Sequence, residues 1–285
     1  MNAGQRRVLR VRSRNADFQQ WQSLLGNRTK RNRHGEFLVQ GVRPITLALE
    51  RGWPVHALLG VEGRLSSWAQ GVWDSAGAQQ HALLAEDLMA ELGGKEGSAP
   101  ELLAVLELPA DDLDRLVEED HKQARRPPLI SVFDRPGGPG NIGTLVRSVD
   151  AFGGDGVVVT GHAADPYDPR CVRASTGSML TVPVVRAPSH SEVLGWVRHR
   201  QDRAGVPWVV LGLDEEGGTP LRDADLTGPT VLVVGNETRG LTRAWREACD
   251  AVVSIPMVGE ASSLNAAVAA SVVLHEALRQ RSIPD

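Results

Sequence analysis

From residue 129 onward the chain alternates short apolar runs with stretches of helical spacing. LISVFD (129–134), GVVVTG (156–161), VPVV (182–185), PWVVLGLD (207–214) and PTVLVVGN (229–236) have strand length and little internal polarity. NIGTLVRSVDAFGG (141–154) places Ile142, Leu145, Val146 and Val149 on one helical face and stops at glycines, and SLNAAVAASVVLHEALRQR (263–281) reads as one Ala-rich helix. Uninterrupted apolar strands alternating with helices predict a parallel sheet covered on both faces. The first 125 residues read as mixed α/β. FLVQG (37–41), VHALLG (55–60) and LLAVLELP (102–109) are strand-like, VRPITLALERG (42–52) and AEDLMAELGG (85–94) are helical, and GGKEGSAPE (93–101) is a loop. The polar run HKQARRPP ends in two prolines and sets the expected boundary between a domain of residues 1–125 and one of residues 126–285.

Composition changes this picture in two places. The net charge of -4 hides a basic end: residues 1–34 hold nine Lys/Arg against Asp17 alone, whereas residues 107–120 hold seven acids against Arg115. A basic end of this kind is the footprint of a polyanion-binding surface, with Arg28, Lys30, Arg31 and Arg33 as its densest cluster. Phe18, Trp21 and Trp53 are available to stack on bases, although core packing is the commoner fate of such residues. No stretch reaches the roughly 18 apolar residues of a membrane span, and the first residues lack the apolar centre of a secretory signal. Cys171 and Cys249 stand alone, and no His/Cys/Asp/Glu cluster has metal-ligand spacing, so a reducing cytoplasmic setting and metal-free chemistry are expected.

Candidate chemistry lies after three strands, where open α/β sheets bind ligands. The segments are DRPGGPGNIGTLVR, GNETRG and PMVGEASSLN. The first contains GxGxxG at Gly138, Gly140 and Gly143, but Asp134, Arg135, Pro136 and Gly137 stand between the apolar run and the first glycine, and the following strand ends Thr160-Gly161-His162 without a ribose-binding acid. A dinucleotide fold is therefore rejected. Asn141 is placed to cap the first helix, with Arg147 nearly two turns inside and on its polar side. Ser262 or Ser263 is placed to cap the last helix, with Leu264 and Asn265 in its first turn.

Three motifs resemble those of the SpoU/TrmH ribose methyltransferases. They are N-x-G-x-x-x-R (Asn141, Gly143, Arg147), G-N-E-x-x-G (Gly235, Asn236, Glu237, Gly240) and I-P-M-x-G-x-x-S-S-L-N (Ile255 to Asn265), with V-R-A-S-T-G-S (172–178) as the intermediate segment. SRNADFQQWQSLLGNRTKR (13–31), GEFLVQGVRPITLALERGWPV (35–55) and GHAADPYDP (161–169) resemble the branch of that family that methylates a uridine of 23S ribosomal RNA and confers resistance to the orthosomycin avilamycin. The resemblance implies a knotted α/β methyltransferase domain behind a small ribosomal-protein-like RNA-binding domain, working as a homodimer on 23S ribosomal RNA with S-adenosylmethionine as cofactor. It implies a cofactor pocket of Gly235, Asn236, Glu237, Ile255, Pro256, Met257 and Leu264. It implies a catalytic group of Asn141, Arg147, Glu237, Ser263 and Asn265, with Arg173 holding RNA phosphate. Because a guanidinium is a very poor base, the electrostatic role is preferred for Arg147, with the base role kept open. The same motifs would also serve methylation of a different ribosomal or transfer RNA nucleotide, or a non-catalytic RNA-binding protein on the same scaffold.

Overall fold

A computed structural model describes residues 8–94, 99–117 and 126–282. The chain forms two compact units, residues 1–109 with Tyr167–Leu180, and residues 110–166 with 181–285. The expected boundary at 125/126 abuts residues 118–125, which lie outside the described residues. Residues 110–117, within the acidic segment before it, belong to the second unit. There Asp111 holds the Arg186 guanidinium at 2.8 Å and Leu116 is fully buried.

The first unit runs β1 (Val8–Val11), α1 (Ala16–Gly26), α2 (Arg28–His34), β2 (Glu36–Gln40), α3 (Val42–Glu50), β3 (Val55–Val61), α4 (Ser67–Ser75), β4 (Gln80–Leu84), α5 (Glu86–Gly93) and β5 (Leu102–Glu107). Its sheet has the order β1-β4-β3-β5-β2, parallel from β1 to β3 and antiparallel around β5. Phe18, Trp21 and Leu24 project from α1 into a core shared with Val11, Leu59, Leu84 and Met89, so two of the candidate stacking aromatics are core residues. Trp53, half-buried, donates through its indole N–H to the carbonyl of Leu180.

The basic end is more ordered and more neutralised than its charge implies. Arg6 and Arg7 lie outside the described residues. The alternating VLRV forms β1, Arg10 and Arg12 both pair with Glu62, and Arg14 pairs with Glu91. Arg31 is buried, its guanidinium donating to the carbonyls of Leu24 (2.5 Å) and Leu25 (3.3 Å), at the end of α1. It closes orphan helix carbonyls and does not face solvent. Arg28 and Arg33 are exposed and Lys30 half-exposed on α2.

After residues 110–117 the second unit continues with β6 (Leu129–Asp134), α6 (Pro139–Ala151) and β7 (Gly156–Thr160). The chain then passes through α7 (Pro169–Ala174) of the first unit. It returns as β8 (Val184–Ala187), α8 (His190–Ala204), β9 (Val209–Leu213), β10 (Thr219–Pro220), β11 (Thr230–Val234), α9 (Arg243–Ala248), β12 (Ala251–Ser254) and α10 (Ala266–Arg281). The sheet order is β10-β12-β9-β11-β6-β7-β8, and every pairing is parallel, as the apolar runs predict. After β6 the chain moves outward to β7 and β8, then returns on the other side, where β11 fills the place between β9 and β6. That reversal opens a crevice at the carboxyl ends of β6 and β11. Helices α6 and α10 pack together, with a Ser148–Ser271 hydroxyl contact of 2.7 Å.

Candidate active site

Three loops converge at the crevice, following β6, β11 and β12. The β11 loop is a tight reversal in which Asn236 and Gly240 exchange backbone hydrogen bonds of 3.0 and 2.9 Å. A Cβ on Gly235 would lie 2.2 Å from the Gly240 carbonyl carbon and 2.4 Å from the Leu241 nitrogen. Glycine is required there by the loop's own backbone. Asn236 fastens the turn. Its Oδ1 accepts from the N–H groups of Thr238 and Arg239, and its Nδ2 donates to the Arg135 carbonyl at 2.7 Å. Arg135 sits at φ 52, a left-handed conformation unusual for a non-glycine residue.

Glu237 ties this loop to the start of α6. One carboxylate oxygen accepts from the Gly137 N–H at 3.0 Å and the other from Asn141 Nδ2 at 2.8 Å. Burial opposes ionisation, but hydrogen bonds from Asn141, Gly137, its own N–H and Gly138 outweigh it and hold the carboxyl below its ordinary range. Glu237 is thus a fixed anionic acceptor. Asn141 is not the cap of α6, as expected from the sequence. Proline suits the first helical position, so the helix starts at Pro139 with Gly138 before it, leaving the Asn141 side chain for Glu237.

The third loop corrects the other cap. Asn265 rather than Ser262 or Ser263 caps α10, its Oδ1 accepting from Ala267 and Val268, and Leu264 and Asn265 precede the helix instead of opening it. Asn265 Nδ2 then donates to Asn141 Oδ1 at 3.1 Å. Asn141, Glu237 and Asn265 are therefore one hydrogen-bonded chain. Arg147 is exposed on α6, and its side chain makes no hydrogen bond or ion pair among the described residues.

Beside this chain lies a cleft of about 240 Å³, lined by Gly235, Asn236, Glu237, Ile255, Met257, Ser263 and Leu264 among others. Pro256 neighbours the lining without contributing to it. Leu213, Asp214 and Glu215 line it too, at the end of β9, with Thr238, Gly240, Ala266 and Ala269. Sequence reasoning missed the β9 end, although an aspartate closing an apolar run at the same sheet edge was a usable signal. Asp214 is held by Arg246 at 2.6 Å. Among the described residues, no three of His, Cys, Asp or Glu are grouped to hold a metal, and no helix is long and apolar enough to cross a membrane.

Residues 128–275 match the SpoU rRNA Methylase family, and residues 15–104 match the SpoU L30e-like domain. The chain belongs to the SpoU rRNA methylase family. Among SpoU relatives, it is 56% identical over 95% of its length to the 23S rRNA (uridine(2479)-2′-O)-methyltransferase of Streptomyces viridochromogenes, covering 92% of that protein. It is 37% identical to an uncharacterized tRNA/rRNA methyltransferase of Mycolicibacterium gilvum, over 86% of this chain and 77% of the relative. The crystal structure of the SpoU methyltransferase AviRb from Streptomyces viridochromogenes, in complex with the cofactor AdoMet, superposes with a TM-score of 0.88 at 55% identity, covering 94% of this chain and 98% of that one. The expected α/β architecture, a parallel SpoU sheet with an L30e-like unit before it, is thereby borne out. Within the SpoU match, Arg173 lies on α7 in the first compact unit, with Arg28, Lys30, Arg31 and Arg33.

Proposed function

We propose that this SpoU methylase transfers a methyl group from S-adenosylmethionine to the 2′-oxygen of a uridine in 23S ribosomal RNA. The observation that carries the reading is the crevice at the sheet reversal, where Glu237, Asn141 and Asn265 join three loops beside a cleft walled by Ile255, Met257 and Leu264. The cleft fits the cofactor's chemistry. Met257 and Leu264 offer exposed apolar surface for an aromatic base, and the carboxylates of Glu215 and Glu237 suit a cationic sulfonium. The relative that names its substrate, 56% identical, acts on a 23S rRNA uridine.

When bound, S-adenosylmethionine supplies an electrophilic methyl carbon. In the transfer the ribose oxygen would take the methyl group, the carbon–sulfur electron pair would stay with sulfur, and the hydroxyl proton would pass to solvent water. Displacement needs oxygen, carbon and sulfur in line, so positioning supplies much of the rate. Glu237 and the two asparagines keep the β6, β11 and β12 loops in register. Arg147, exposed and without a partner among the described residues, anchors the nucleotide's phosphate or hydroxyl as a planar fork of donors. Ser263 lines the cleft at the same mouth.

The protein works in the cytoplasm as a homodimer. Val268 and Val272, one turn apart on α10, are both exposed. A pair of exposed apolar side chains on one helix suits an interface. The methyl group it installs on the ribosome hinders orthosomycin binding. Incubating the protein with unmethylated 23S ribosomal RNA and S-adenosylmethionine, then mapping 2′-O-methyl groups, is expected to mark one uridine. Methylation confined to transfer RNA, or none at all, would overturn the reading. A mass in solution of one chain would overturn the dimer.

A further inference from the structure

The first unit carries a second cavity. Between the start of α3 and the α7 segment lies a cleft of about 450 Å³, walled by Pro44, Pro100 and Val172 and edged by Arg43, Arg173 and Thr176. Its volume falls in the roughly 300–1,000 Å³ range of small-ligand sites. Among the described residues, no acidic side chain lines it. Among the described residues, neither the Arg43 nor the Arg173 guanidinium makes a hydrogen bond or ion pair, whereas those of Arg10, Arg12, Arg14 and Arg170 are each paired.

The walls are firmly built. Phe37 packs on both Trp53 and Tyr167, at centroid distances of 5.9 and 5.0 Å, which binds the segment carrying α7 to β2 and α3. Gly177, at φ 100, brings that segment so close to α3 that a Cβ would lie 2.9 Å from Leu47 and 3.5 Å from Pro44. Thr176 is held at φ 49, a left-handed conformation that a β-branched residue adopts only when its surroundings impose it. Two guanidiniums at the edge of a rigid apolar slot match the two halves of a nucleotide, an anionic phosphate and a flat base.

We propose that this cleft holds one unpaired nucleotide of the RNA substrate, its phosphate on Arg43 and Arg173 and its base against Pro44, Pro100 and Val172. The proposal rests on the RNA-methylation reading for its ligand class. It makes the first unit a reader of an extruded base as well as a charged surface.

The test uses the full-length protein and unmethylated 23S ribosomal RNA. Replacing both arginines (R43A/R173A) is expected to weaken RNA binding about tenfold or more and to make the salt dependence shallower by about 1.4, or ~0.7 for each lost single-strand phosphate contact. KM for RNA should rise more than kcat falls, and S-adenosylmethionine affinity should stay within about twofold. R43K/R173K should recover part of the loss, because a point charge still attracts phosphate. In the unsubstituted protein, RNA carrying 4-thiouridine should photocrosslink to peptides spanning residues 40–44 or 172–176. RNA affinity and salt slope equal to the parent's in the folded alanine variant, or crosslinks confined to other peptides, would overturn the cleft. A parent protein that neither binds nor methylates 23S RNA would instead overturn the functional reading on which it rests.

Discussion

The side-chain amide of Asn265 donates to the side-chain oxygen of Asn141, and the direction of that bond is dictated from both ends. At one end the ionised Glu237 only accepts, which turns Asn141 Nδ2 toward it; at the other the N–H groups of Ala267 and Val268 only donate, which turns Asn265 Oδ1 toward them. No amide in the chain can flip without setting like against like. Asn265→Asp keeps the capping oxygen but loses the donor. Thermal stability should stay near the parent's while kcat/KM falls about tenfold, the equivalent of one hydrogen bond at ~1.4 kcal/mol. Asn265→Ala should lose activity and in addition about 1 kcal/mol of stability through the missing cap. Unfolding and initial-rate measurements on both variants separate the two losses.

Glu237 makes stability depend on pH in one direction. Its folded-state carboxyl titrates below the ordinary 4.5, so its contribution is complete above that value and disappears as the pH falls through the lower folded value. Thermal midpoints measured from pH 6 down to pH 3 should therefore fall less steeply for Glu237→Gln than for the parent. At neutral pH the same variant turns an amide N–H toward a donor and should bind S-adenosylmethionine more weakly. Parallel pH profiles would show that the carboxylate is not the coupled group.

Gly235→Ala is predicted to be damaging without any ligand present. The added carbon overlaps the backbone at Gly240 and Leu241, so the loop must open, at a cost of about 1–3 kcal/mol. Chemical denaturation of the protein without S-adenosylmethionine measures this directly. A stability equal to the parent's, with only cofactor affinity lost, would make contact with the cofactor, and not the loop backbone, the reason for glycine.

Arg147→Ala and Arg147→Lys should each reduce turnover by about 10²–10³, the usual loss when an electrostatic contact to the reacting group is removed. Being exposed, Arg147 contributes little to folding, so melting temperature and S-adenosylmethionine affinity should be unchanged. Lysine should fail because a point charge does not reproduce a planar fork. Turnover near the parent's in either variant would remove Arg147 from the mechanism.

The basic cluster on α2 divides in two. Arg31→Ala strips two carbonyls of their donor and should destabilise the protein by about 1.5–3 kcal/mol, with no change in the salt dependence of RNA binding. Replacing Arg28, Lys30 and Arg33 together should leave the fold intact, weaken RNA binding and flatten its salt dependence by about 0.7–0.9 per lost contact. Binding isotherms at several salt concentrations, beside denaturation curves, distinguish the two classes.

Much of this architecture was legible because buried parallel strands announce themselves. LISVFD, GVVVTG and TVLVV are too apolar to face water on either side, and the glycine-rich segments after them mark where the chain turns at one edge. Caps were not legible in the same way. Asn141, Ser262, Ser263 and Asn265 are all competent caps locally, and only Pro139 at the first position of α6 and the partner at Glu237 decide among them. Arg31 was misplaced because an arginine in a run of bases normally faces solvent, and its burial depends on carbonyls that α1 leaves orphaned. Residues 167–180 belong with the first unit through Phe37, Trp53 and Gly177, contacts more than a hundred residues apart in the chain that local periodicity does not report.

The place of β11 between β9 and β6 has a consequence for how the protein is made. While the polypeptide emerges from the ribosome, β6 acquires β7 early, but its other edge waits some hundred residues for Thr230–Val234. Throughout that interval LISVFD presents a bare row of backbone donors and acceptors flanked by apolar side chains, an invitation to wrong pairing. The crevice needs residues up to Ala269, so a nascent chain remains catalytically silent until nearly its whole length has been synthesised. Nascent protein therefore passes through its most aggregation-prone stage before it has any binding site that a small molecule could stabilise.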